Sequence, residues 1–162
     1  MNRNYDVIIV GGGPAGIFAA LELVQSSSLK VLLIEKGKDF NDRECPSRDR
    51  GTNCASCSPC NLVCGLGGAG AFSDGKLTLT SQVGGRLREY IGESASEELI
   101  KYVDEQYIHF GGSDKLFGVG SEVARLAQRA SLAELRLVPV PLRHLGTENC
   151  QRVLKAMRDF LN

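Results

Sequence analysis

An α/β fold built on a parallel βαβ unit is what the amino-acid sequence predicts, and three observations carry that expectation. After Asp6 comes the apolar, β-branched run Val7-Ile8-Ile9-Val10, the pattern of a buried parallel strand. Gly11-Gly12-Gly13-Pro14-Ala15-Gly16 follows at once and satisfies G-x-G-x-x-G. Ile17, Ala20, Leu21 and Val24 then recur at helical spacing, Ser26-Ser27-Ser28 ends the helix, and Val31-Leu32-Leu33-Ile34 forms a second buried strand leading to Glu35.

Each residue type in the turn has a physical reason. Gly11 lets the chain turn tightly out of the strand. Gly13 carries no Cβ, so a pyrophosphate can approach the backbone. Gly16 lets the helix pack close to the strand, and Ala20 one turn later keeps that contact close. The helix that opens at Pro14-Ala15 presents the free N–H groups that follow the proline, and partial positive charge, to phosphates. Glu35 falls about twenty residues past Gly16, where a carboxylate accepts hydrogen bonds from a ribose diol. It would repel a 2′-phosphate, which argues against NADP.

Composition narrows the classes. The chain has 162 residues, with 19 Lys and Arg against 19 Asp and Glu, so no polyanion partner such as nucleic acid is expected. No apolar run reaches the length of a membrane span, and residues 1–4 do not form a secretory signal, so a soluble, cytoplasmic protein is expected. Only two parallel strands are convincing, with a weaker one near Leu135. Two strands cannot bury themselves, and the expected reading is an incomplete domain. Its parts are the βαβ unit over 1–38, a Cys/Gly-rich segment over 39–92 and a mainly helical segment over 93–162.

Residues 37–53 read as a polar, turn-rich loop carrying Arg43, Arg48 and Arg50; either it is solvated or one arginine reaches a phosphate. Cys54, Cys57, Cys60 and Cys64 follow at C-x2-C-x2-C-x3-C, the spacing of bacterial ferredoxins, although Gly65 stands where those have Pro. Three readings stay open: an iron–sulfur cluster or zinc site, a disulfide pair, and reduced thiols packed on the loop. Cys150 reads as a small core residue. The second glycine run, Gly65 to Gly75, includes Gly67, Gly68 and Gly70, and suggests either a close backbone approach or a flexible loop.

Farther on, Ser94-x-x-Glu97 predicts a capping box, with Leu99, Ile100, Val103 and Tyr107 as the stripe of a helix stopped by Gly111-Gly112. Ser121 opens a helix with Val123, Leu126, Ala127 and Ala130 inward. Pro139 and Pro141 confine any strand over Leu135–Leu142 to a short or edge position. Thr147 can cap a last helix with Val153, Leu154, Met157 and Phe160 on one face. His109 ends a helix, and His144 is either a turn residue or a proton donor.

Over residues 5 to 36 the chain resembles the opening of FAD-dependent oxidoreductases of the glutathione-reductase type. The composite from Cys45 to Thr80, with Arg143 to Thr147, resembles a poorly characterised family of FAD-dependent dehydrogenases. The resemblance implies a Rossmann-like unit that binds FAD through Gly11, Gly13, Pro14, Ala15, Gly16, Glu35 and Lys36. The second glycine run, with Gly67, Gly68, Gly70 and Ser73, then lies along the pyrophosphate and reaches toward the flavin ring, bringing Asp74 and Lys76 near it. It implies redox chemistry on a small-molecule substrate with an electron donor or acceptor, and it names no substrate and no catalytic residue. The alternatives are a nucleotide- or metal-binding module without turnover, and an NAD-binding unit.

Overall fold

The structure, a computed structural model, describes residues 4–162. In order, its elements are β1 (Val7–Val10), α1 (Pro14–Ser26), β2 (Val31–Ile34), a 3-10 turn (Phe40–Asp42), α2 (Pro46–Arg50) and a second 3-10 turn (Gly68–Phe72). Then come β3 (Lys76–Thr78), α3 (Leu87–Ile91), α4 (Glu93–His109), α5 (Ser121–Leu132), β4 (Leu142–His144) and α6 (Thr147–Leu161). The chain divides into two compact units. The first runs to Ser73 and resumes at Cys150–Asn162; the second is Asp74–Asn149.

In the first unit β1 and β2 pair in parallel, Val7 opposite Val31 through Val10 opposite Ile34. The expected βαβ unit is therefore present. Helix α1 closes it with Ile17, Ala20 and Leu21, all buried. Helix α6 buries Cys150, Val153, Leu154 and Met157, the stripe read from the sequence, whereas Phe160 stays exposed. Its Arg158 reaches Asp39 at 2.5 Å and lies over the Phe40 ring. Ile8, Val10 and Ile34 remain exposed on the strand pair.

In the second unit β3 and β4 run antiparallel, pairing Lys76 with His144, Leu77 with Arg143 and Thr78 with Leu142. The strand expected near Leu135 begins only at Leu142, because Pro139 and Pro141 have no N–H to give a ladder. Buried Arg143 grips the Asp104 carboxylate with Nε and Nη2, the latter at 2.7 Å, and also donates to the Asp114 carbonyl.

Helix α5 opens at Ser121 as read from the sequence, but the start of α4 differs from expectation. α4 opens at Glu93 behind Gly92, whose φ of +82° ends α3. Ser94 is therefore inside the helix, where its hydroxyl contacts Glu98 rather than capping a backbone N–H. Leu99 and Leu126, expected inward, are exposed.

Candidate dinucleotide-binding site

The site begins where β1 ends. Gly11 leaves the strand with φ of +113°, a conformation open to glycine, while its N–H still donates to the Ile34 carbonyl at 2.7 Å. Gly13 is extended and precedes α1, which has Pro14 in its first turn and no side-chain cap. The Ile17 N–H reaches back to Gly13, so the amides of Ala15 and Gly16 precede the first intrahelical bond.

The glycines divide by what a Cβ would meet. At Gly16 it would stand 1.9 Å from the Gly11 carbonyl oxygen, so this glycine is required by the turn itself. At Gly13 it would meet nothing within 4 Å. Among the described residues nothing demands glycine at 13, which directly precedes the first turn of α1.

The Glu35 carboxylate stands at the end of β2 and accepts three backbone N–H groups. Oε2 takes Gly12 at 2.7 Å; Oε1 takes Gly37 at 2.8 Å and Gly65 at 3.1 Å. These bonds, that of Gly37 first, hold its pKa below the ordinary carboxylate value against the opposing effect of burial. A carboxylate offers about four acceptor sites, so one remains, on Oε2. Lys36 follows it with an exposed side chain.

The second glycine segment lies beside the first. The Gly67 N–H donates to the Gly12 carbonyl at 2.7 Å, and a Cβ on Gly68 would come 3.7 Å from the Gly13 Cα. Gly67 and Gly68 have φ of +81° and +58°. Gly70 lies in the 3-10 turn, where an added Cβ would meet nothing within 4 Å, and Ser73 ends that turn with both its N–H and its hydroxyl on the Gly70 carbonyl.

One residue that the sequence left undistinguished holds this segment. Of the three arginines in the polar loop, Arg43 is only 4% exposed. Its Nε donates to the Asn61 carbonyl, Nη1 to Leu66, and Nη2 to Leu62 and Gly68, at 2.6–3.0 Å. The guanidinium also stacks over Phe72, and burial pulls its pKa down from the ordinary value. Arg43 is committed to carbonyls rather than to a phosphate. Only burial distinguishes it from Arg48 and Arg50, and burial is not written in a local pattern.

The cysteine spacing does not translate into a ligand set. None of the six cysteines forms a disulfide, and among the described residues no group of three or more His, Cys, Asp or Glu side chains is placed to hold a metal ion. Cys60 and Cys64 sit one turn apart, with the Cys64 N–H on the Cys60 carbonyl, while Cys54 and Cys57 are exposed on the stretch before. This loop folds around a cation already, the Arg43 guanidinium, so the iron–sulfur or zinc expectation for Cys54, Cys57, Cys60 and Cys64 is not supported.

Among the described residues no helix is long and apolar enough to cross a membrane. In the second unit His144 lies opposite Lys76, whose amine contacts Asp74 at 2.6 Å. All three are exposed.

Residues 5–56 match the family model described as pyridine nucleotide-disulphide oxidoreductase. Over 98 residues the chain is 41% identical to an uncharacterized protein of Clostridium beijerinckii, an alignment that covers 58% of this chain and 16% of that protein. Over 39 residues it is 49% identical to a protein of Marinomonas mediterranea described as an FAD-dependent oxidoreductase, LodB; this covers 24% of the chain and 10% of the relative. The aligned part thus spans a minor share of each relative's length. No solved structure matches significantly. The βαβ segment is thus similar to the pyridine nucleotide-disulphide oxidoreductase model and to the Marinomonas mediterranea protein.

Proposed function

We propose that the first unit binds the ADP half of FAD and belongs to a flavin-dependent oxidoreductase acting on a small molecule. The observation that carries this reading is that a Cβ at Gly13 would meet nothing within 4 Å, directly before the first turn of α1 and next to Gly12, whose N–H Glu35 holds. The pyrophosphate would lie over Gly11, Gly13, Pro14, Ala15 and Gly16, where amides and the helix dipole offset its charge. Glu35 would accept a ribose hydroxyl on its remaining site, with Lys36 beside it. Gly67, Gly68, Gly70 and Ser73 would wall the same space. Bound flavin supplies hydride and electron transfer; the chain's own residues bind and orient it.

The family description names a pyridine nucleotide, which favours NAD as the second reading. Purified protein with flavin absorbance, releasing FAD on heating as identified by chromatography, supports the first reading. Release of NAD from a colourless protein supports the second.

A further inference from the structure

Glu35 and Arg43 are opposite charges that grip the same short stretch of backbone from its two polar sides. The Glu35 carboxylate takes the N–H of Gly65, and the Arg43 guanidinium takes the carbonyls of Asn61, Leu62, Leu66 and Gly68. Neither side chain is opposite a side-chain partner in these bonds; each neutralises backbone dipoles. Such charge-assisted bonds are roughly twice as strong as neutral ones. Between the two grips lie Gly65 and Gly67, whose φ values of +126° and +81° leave the stretch no regular ladder to hold it.

The same stretch carries the contact to the nucleotide fingerprint. Gly67 donates to the Gly12 carbonyl, and the Gly12 N–H returns to Glu35. A closed circuit therefore runs from Glu35 through Gly12 and Gly67, past Leu66, to Gly65 and back to Glu35. A Cβ on Gly12 would stand 3.0 Å from the Glu35 Cβ and 3.1 Å from Leu66 Cδ1, so the circuit has no slack. Gly37 fixes the second Glu35 oxygen from the other side.

We infer that Glu35 and Arg43 are positioning residues that fold the Cys/Gly-rich stretch Asn61–Gly68 against the fingerprint, making it a preformed wall of the dinucleotide site. This rests on the proposed function only for the identity of the ligand; the wall itself is held by the chain's own hydrogen bonds. It assigns Glu35 a second duty besides the ribose. It assigns the loop after Cys60 a duty that needs no metal. Preorganising the wall lowers the ordering cost that binding would otherwise meet.

The experiment is amide hydrogen exchange on the cofactor-free chain, comparing the parent with E35Q and R43K. Gln keeps the shape of Glu35, but its NH2 end cannot accept an N–H. It must release either Gly12 or the Gly37 and Gly65 pair. In E35Q, exchange at those amides and at Gly67 should rise roughly tenfold or more, while β1 and the body of α1 stay protected. In R43K, a single ammonium cannot serve four carbonyls, so the amides of Leu66 to Gly68 should exchange faster with Glu35 intact. Parent-like protection of Gly65–Gly68 in both variants overturns the inference, and if E35Q does not fold, R43K alone decides in the same way. FAD titration is read separately. A parent chain that shows the exchange effect but binds no FAD keeps the wall and refutes the ligand, whereas FAD binding with no exchange effect does the reverse.

Discussion

Gly67 donates its N–H to the carbonyl of Gly12 at 2.7 Å, so two glycine-rich segments more than fifty residues apart in sequence share one hydrogen bond. Gly12 is the x of the fingerprint, the position with no assigned duty in the motif. Here its two backbone groups are both used, the N–H by Glu35 and the carbonyl by Gly67. The cradle proposed for a phosphate would therefore be built from both segments.

Two substitutions should separate fold from binding. Gly16→Ala places a methyl 1.9 Å from the Gly11 oxygen, a backbone clash that should cost about 3 kcal/mol and lower thermal stability sharply. At Gly13 an added Cβ meets nothing within 4 Å and the φ of −75° is one valine adopts, so Gly13→Val should cost about 1 kcal/mol, chiefly as a poorer helix cap. The valine side chain fills the space proposed for the pyrophosphate, so dinucleotide binding should disappear. Melting curves and a cofactor titration on both variants check the contrast; a Gly13→Val protein that binds FAD like the parent moves the site elsewhere.

Glu35 gives a pH signature. Its pKa is held below the ordinary value of 4.5, first by the Gly37 N–H and then by that of Gly12. A carboxylate whose pKa falls on folding contributes its full stability above the unfolded value, and that contribution is lost as pH falls toward the folded value. The wall at Gly65–Gly68 should therefore keep constant order from neutral pH down to about 4.5 and loosen only below it. Exchange rates corrected for their intrinsic pH dependence test this. Loosening that begins near pH 6 would implicate another group.

The elements that sequence revealed are those whose causes are local. Strand, glycine turn, helix and acid-ended strand all lie within residues 6–35, and each is specified by its neighbours. Glu35 was legible as an acid at the end of β2, but not its three amides, because Gly37 and Gly65 come from different turns and offer only backbone. Strand β3 has three residues and exists through its pairing with Leu142–His144, a long-range partner that no periodicity announces. The capping pattern at Ser94 failed for a comparable reason: the positive φ at Gly92 starts α4 before the serine is reached. The cysteine spacing was readable, but the buried cation that occupies its loop was not.

The Asp104–Arg143 pair should dominate the stability of the second unit. Both side chains are nearly buried, at 14% and 9% exposure, and the guanidinium also serves the Asp114 carbonyl. Asp104→Ala leaves Arg143 charged in a site with half its acceptors gone. Breaking one side of a buried pair costs about 3–5 kcal/mol. Urea denaturation of Asp104→Ala should show a loss in that range. A loss below about 1 kcal/mol would mean that water reaches the guanidinium and the pair behaves as a surface one.

The cysteines provide the last test, since their reactivity depends on which reading of the spacing holds. Cys54 and Cys57 are exposed, Cys45, Cys60 and Cys64 are partly covered, and Cys150 is 6% exposed within the α6 packing. Thiols held as ligands would resist alkylation together and yield together on chelation. Free thiols react according to access. In native protein, Cys54 and Cys57 should be alkylated first, Cys60 and Cys64 more slowly, and Cys150 only on unfolding. Peptide mass spectrometry on a time course reads the order directly. Joint protection of Cys54, Cys57, Cys60 and Cys64, with stoichiometric iron or zinc in the same preparation, would restore the metal-site reading and require the Asn61–Gly68 stretch to rearrange around a cation other than Arg43.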